Sequence, residues 1–238
     1  MKRFFQNPLA IILILFMTYT AVFSGRYDGP MDWLISTLLF LPGILIGLSF
    51  HEFGHAFVAW KCGDDTPRLQ GRVTTNPIAH IDPIGFIALL FIGFGWGKPV
   101  MVNPNNFKKM RRDELLVDLA GVTMNLILAV AFTGIWRLLA QFFPELLASS
   151  MGSIVNEIVF NVVYINIVLM VFNLLPVPPL DGFNVVTEIF NLRNTSLYYT
   201  IYNNGFLILM LLILFDITDR ILTPAVIWCF DTLVMLFF

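Results

Sequence analysis

Residues 38–55 read LLFLPGILIGLSFHEFGH. A long apolar run closes on His51-Glu52-Phe53-Gly54-His55, an H-E-x-x-H pattern. On a helix, positions i and i+4 share a face, so His51 and His55 can turn two imidazoles toward one ion. Glu52 follows the first histidine directly, where a zinc hydrolase carries its general base. Gly43 and Gly47 precede the histidines at the same spacing, so another backbone can come close to this face. The bland alternative is two hydrogen-bonded histidines near a membrane surface. Ionisable groups beside a hydrophobic span are costly to keep, and that weighs for a metal site.

The composition around this stretch excludes an ordinary soluble domain. Of 238 residues, 58% are hydrophobic and only 13% charged, and mean hydropathy is +0.80; a soluble domain carries about 25% charged residues. This is the composition of an integral membrane protein. A net charge of -2 without a basic tract gives no support for binding nucleic acid. Cys62 and Cys229 make no disulfide framework. Cys62 borders a loop bearing Lys61 and Arg68, which fits a reducing cytoplasm. Leu9 to Val22 follows Lys2 and Arg3, but no A-x-A-like site comes after it, so it reads as a retained span rather than a signal peptide.

Lys2 and Arg3 put the N-terminus in the cytoplasm by the positive-inside rule. The first span is then about Pro8 to Phe23 and the second about Trp33 to Trp60, with Pro42-Gly43 as a kink point. About 20 residues cross the hydrocarbon, which puts His51 on the cytoplasmic side of the midplane. Arg68 to Thr75 is rich in Thr, Val and Gly and predicts a short hairpin. Ile84 to Trp96 is glycine-broken, too short to cross, and positively flanked on both sides, which predicts a re-entrant or interfacial segment. The third span, Leu115 to Phe142, leads outward, and the fourth, Ile154 to Leu175, returns. Asn161 and Asn166 in the fourth span read as interhelical hydrogen bonders. Pro176, Pro178 and Pro179 must break that helix. A short helix, Gly182 to Leu192, precedes a fifth span, Tyr198 to Phe215, with Asp216, Asp219 and Arg220 at its outer end. Pro224 to Phe238 is short and reads as a sixth helix or an interfacial one. The expected fold is therefore an all-α polytopic membrane protein of about six transmembrane helices, with a re-entrant or hairpin segment near the active site. One domain, residues 1–238, is expected, with its core over 33–195.

A hydrolytic zinc site takes three protein ligands and a water. His80 and Asp181 are the candidates for the third. Asp181 sits in the proline break beside a long span, where a carboxylate is costly unless a cation faces it. His80 lies in a proline-flanked loop, where a hydrogen-bonded histidine is the commoner case.

Several stretches together resemble the site-2 proteases, intramembrane zinc metalloproteases of peptidase family M50. His51-Glu52-Phe53-Gly54-His55 resembles the family's H-E-x-x-H. Residues 173–182, NLLPVPPLDG, are similar to its N-x-x-P-x-P-x-L-D-G motif. Residues 76–85, NPIAHIDPIG, and 95–100, GWGKPV, resemble the segments between the two motifs. Ala120-Gly121-Val122-Thr123-Met124-Asn125 resembles A-G-P-x-x-N, with Val122 in place of the usual proline. The likeness spans roughly residues 40–195 and leaves no room between the motifs for the PDZ domain many relatives insert. It implies a minimal member, without PDZ or CBS domains.

The resemblance implies one Zn²⁺ per chain, held by His51, His55 and Asp181, with Glu52 as general base and Asn173 stabilising the oxyanion. Lys98 is a second oxyanion candidate. The implied substrate is a transmembrane protein or peptide within the lipid bilayer, cut during regulated intramembrane proteolysis or clearance of membrane peptides. Gly71 to Trp96 is expected to shield the site and offer strand-like pairing to an unwound substrate. The expected location is the cell membrane, multi-pass, with the N-terminus and the active-site side cytoplasmic. The oligomeric state is not set by the sequence. A competing class is a metal-binding membrane protein or transporter without hydrolysis. It would not need Glu52, and transporters usually show internal repeats, of which none is visible.

Overall fold

Apolar continuity makes the long helices, and charged or capping residues bound them. The computed structural model describes residues 28–92 and 95–238; the expected first span, Pro8 to Phe23, lies outside them. Helix α1, Pro30–Cys62, opens on a proline, carries Lys61 in its last turn and closes on left-handed Gly63. Pro42 lies inside it and the helix continues past, as membrane helices allow. Helix α2, Pro83–Ile92, is short. Helix α3, Met110–Phe142, begins where the Lys109 N–H donates to Asp113 Oδ2 at 2.8 Å. Helix α4, Ser150–Asn173, begins where the Gly152 N–H donates to Ser149 Oγ at 3.1 Å. Helices α5, Asp181–Phe190, α6, Ser196–Leu214, and α7, Ile217–Phe237, complete the described chain.

Among the described residues, five helices are long and apolar enough to cross a membrane: α1, α3, α4, α6 and α7. The chain is an all-α, multi-pass membrane protein. Large apolar side chains such as Leu138 and Met235 accordingly point outward, where lipid replaces water. Helices α1, α3 and α4 pack pairwise on one another and form the centre. Gly43 and Gly47 permit this: a β-carbon on either would come within 3.0 Å of α4, at Ile165 and the Asn161 carbonyl or at Leu169. The Asn161 amide donates across to the Leu39 carbonyl at 3.2 Å.

Helix α7 departs from the expected layout in two ways. It starts at Ile217, not Pro224, and holds Pro224 inside it. It also runs in the same sense as α3. Val226 packs with Ala129 and Ile167, Phe230 with Phe160, and Phe238 with Trp136. Since α4 returns toward the end where α1 finishes and α7 leads away from it, α5 and α6 together bring the chain back to that end. This corrects the expectation that α6 leads out to Asp216, Asp219 and Arg220 at an outer end.

The connection from Gly63 to Lys109 is the other departure. Arg68 to Thr75 forms no hairpin, and the described residues contain no strand. Pro67 instead opens a helical turn over Thr66–Leu69, and Gly71 turns the chain with a positive φ of 68°. The re-entrant expectation fares better. Helix α2 leaves and returns at one level, because Ile81 pairs with Gly97 as an isolated antiparallel bridge and residues 95–96 pack back against Gly85. Buried Asp64 ties the connection down, accepting from the Asn103 N–H, the Asn106 amide and the Thr66 hydroxyl. The guanidinium of buried Arg72 donates to the carbonyls of Ala79 and Lys98.

Candidate metal centre

His51 and His55 lie on the α1 face that meets α3. Each ring is fixed through its Nδ1. His51 Nδ1–H donates to Asn125 Oδ1 at 2.8 Å, and His55 Nδ1–H donates to the Val117 carbonyl at 2.7 Å. Both acceptors are on α3. The Asn125 amide nitrogen donates in turn to the Gly47 carbonyl and to Asn166 Oδ1, at 3.1 and 3.0 Å. This polarity sets the Asn125 orientation and hence the tautomer of His51: Nδ1 carries the hydrogen and Nε2 presents a lone pair.

The two Nε2 atoms lie 3.1 Å apart, and Asp181 Oδ2 lies 3.2 and 3.3 Å from them. The three atoms make a near-equilateral triangle. A tetrahedral zinc with bonds of ~2.0–2.1 Å spaces its ligands about 3.3 Å apart. Three lone pairs converge here, and the buried Oδ2 has no hydrogen-bond donor among the described residues. With both ring hydrogens used at Nδ1, none of the three atoms has a hydrogen to share, and a cation satisfies such a cluster. The residues therefore fit a divalent ion.

Local sequence explains how these atoms meet. Gly121 faces both rings, and a β-carbon there would lie 2.4 Å from His55 Nε2 and 2.5 Å from His51 Cε1. The prolines after α4 turn the chain so that α5 begins at Asp181, with Leu180 as its cap. A carboxylate in a first helical turn is also favoured by the helix dipole. At Gly182 the backbone passes so near the Leu174 carbonyl that a β-carbon would lie 2.3 Å from it.

The trio opens on a cavity of about 910 Å³ lined from α1, the 95–107 segment, α3, the end of α4, the proline turn, α5 and α6. Glu52 lies in its wall, with Oε2 accepting the Val100 N–H at 3.0 Å. Asn173 also lines it, and its amide nitrogen donates to the Leu169 carbonyl one turn back at 2.9 Å. Asp118 is a further carboxylate in the cavity, with Oδ1 at 3.5 Å from the Asn184 amide nitrogen. Below it, Arg193 joins Glu114 and Glu188 at 2.8 and 2.9 Å. Burial and the neighbouring Glu114 raise the Glu188 carboxyl above its ordinary range, against the pull of Arg193. Arg111 closes α5 by donating to the carbonyls of Glu188 and Ile189.

Of the residues singled out in the sequence, the structure brings together His51, His55 and Asp181, with Glu52 and Asn173 in the same cavity. His80 stays apart: it is buried, and its ring bonds the Thr74 carbonyl through Nε2 at 2.7 Å. Lys98 contributes its backbone to the loop, and its side chain is exposed. Sequence reasoning missed Asn125 as the partner of His51, Gly121 as the seat of both rings, and Asp118. Gly121 and Asn125 stand four apart, one face of one helix, and that spacing was the available signal.

A profile of peptidase family M50 matches residues 139–215. Two similar proteins carry the name "Putative zinc metalloprotease". YwhC of Bacillus subtilis (strain 168) is 36% identical over 208 residues, which cover 87% of this chain and 91% of YwhC. Rip2 of Mycolicibacterium smegmatis is 30% identical over 209 residues, covering 85% of this chain and 76% of Rip2. No solved structure is significantly similar.

Proposed function

Because the chain belongs to peptidase family M50 and is an intramembrane zinc metalloprotease, we propose that His51, His55 and Asp181 hold the ion. In the same reading Glu52 moves the proton, and the bond cut lies in or near a membrane-spanning segment of another protein. The observation that carries this reading is the triangle of three converging lone pairs, with each histidine tied off at Nδ1.

When bound, zinc supplies Lewis acidity: it makes a coordinated water easier to deprotonate and polarises the peptide carbonyl. The remaining work falls to the chain. Glu52 keeps Oε2 on the Val100 N–H, so Oε1 is the oxygen that takes the proton from water and returns it to the leaving amine. Asn173 has one amide hydrogen on the Leu169 carbonyl, and its second is the donor for the oxyanion. An intact substrate helix hides its carbonyls in i to i−4 bonds, so the scissile region unwinds before it is cut. Residues 95–97 and 99–102 line the cavity beside Glu52, and the backbone groups there that are not already bonded are offered to such an extended segment. The protein resides in the cell membrane, with the site toward the cytoplasm. Eight of the lysines and arginines fall between Lys61 and Arg112, at the end of the bundle where the site lies.

Zinc content and cleavage of a reporter transmembrane substrate, measured for wild type and Glu52→Gln, test this. Equal zinc with cleavage reduced about 10²–10⁴-fold is the expected result. Undiminished cleavage by the variant would remove Glu52 from the proton path.

A further inference from the structure

Among the carboxylates of the cavity, one is held least firmly. Asp181 faces the two histidines, Glu52 accepts the Val100 N–H, and Glu114 shares Arg193 with Glu188. Asp118 has only the Asn184 amide, at the outer limit of a hydrogen bond. Its place is defined on two helices at once. On α3, Asp118 precedes Gly121 by three residues, so it lies one turn from the seat of the histidine rings. On α5, Asn184 follows Asp181 by three, one turn from the third member of the trio. The carboxylate is therefore displaced about one helical turn, ~5 Å, from the reacting centre. The displacement is toward the end of α3 where Lys108 to Arg112 cluster.

We propose that Asp118 is a specificity residue that receives a lysine or arginine side chain of the substrate, one or two residues from the scissile bond on the cytoplasmic side. The spacing follows from the chain: an extended segment advances about 3.3 Å per residue, so a displacement of one helical turn corresponds to one or two residues. The chemistry suits the substrate class, since membrane-spanning segments carry their lysines and arginines at the cytoplasmic flank. A basic side chain entering the cavity meets a carboxylate that forms no ion pair among the described residues, whereas an acidic one meets like charge. This inference rests on the protease reading given above.

The test uses the full-length protein in vesicles and one reporter transmembrane segment, varied to Lys, Ala or Glu at the two positions on each side of the cut. Wild type is expected to favour Lys over Glu at one of these positions by about tenfold or more in kcat/KM. Asp118→Asn, with zinc content equal to wild type, is expected to bring that ratio within about twofold of unity. The same Lys-to-Glu ratio is read without turnover as the affinity of zinc-loaded Glu52→Gln for the segments, with and without Asp118→Asn. A ratio near unity in that affinity measurement, or one that survives Asp118→Asn, overturns the assignment. Failure of wild type to cut any segment, with the affinity ratio intact, counts against the protease reading and leaves Asp118 as a binding determinant.

Discussion

Asn125 decides which nitrogen of His51 faces His55 and Asp181, because its Oδ1 can only accept. Removing such an outer partner typically costs 10–100-fold in metal affinity. Asn125→Ala is therefore expected to weaken zinc binding by about that factor in a chelator competition, and unchanged affinity would dismiss the role. For Asn173, an oxyanion donor acts mainly in the transition state, so Asn173→Ala should lower kcat by about 10²–10³ while KM and zinc content hold. A fall in melting temperature in step with activity would make Asn173 a support for the end of α4 instead. The sequence put His51, Glu52 and His55 on one helix turn because that geometry is encoded locally, and the structure keeps them beside one cavity. The proline break left Asp181 and His80 both open as the third member, the family resemblance favoured Asp181, and the structure brings Asp181 and not His80 to the two histidines. Asn125 and Asp118 were not legible, since their partners lie on other helices: His51 is 74 residues from Asn125.

At the scale of elements, the Gly63 to Lys109 connection shows how buried polar groups override local propensity. Threonine and valine favoured a hairpin, but the backbone follows the hydrogen bonds of Asp64 and Arg72. Two titrations follow from this. Burial, with the nearby Arg72 charge, pushes His80 below its ordinary value of 6.5, against the Thr74 carbonyl. Below pH 6.5 the unfolded chain takes up a proton that the folded loop does not, so stability falls as pH drops from there toward the folded value. Asp64 differs: burial acts to raise its carboxyl, but hydrogen bonds from Asn103, Thr66 and Asn106 hold it below 3.8. Its contribution is complete above that value and is lost as pH falls through the lower, folded one. Hydrogen exchange over residues 63–109 is expected to show a first loss of protection below pH 6.5 and a second below about 3.8. His80→Gln should abolish only the first; flat protection from pH 7 to 5 in wild type would contradict the account.

For the whole molecule, the membrane class and the long helices were legible because apolar runs of this length have no other use. The sense of α7 was not, because only tertiary contacts reveal that it accompanies α3. In a chain carrying Cys62→Ser and Cys229→Ser, Gln70→Cys and Asn105→Cys should label from the cytoplasmic side and Ala148→Cys from the opposite one. Labelling of the first two from different sides would make the α2 segment a true crossing. The proposed chemistry depends on the ligand set, and metal analysis with X-ray absorption on purified wild type, Asp181→Ala and His80→Ala measures it most directly. Zinc is expected to be bound by two imidazoles and a carboxylate in wild type, lost or strongly weakened in Asp181→Ala and unchanged in His80→Ala. Full zinc occupancy in Asp181→Ala together with loss in His80→Ala would contradict that ligand set.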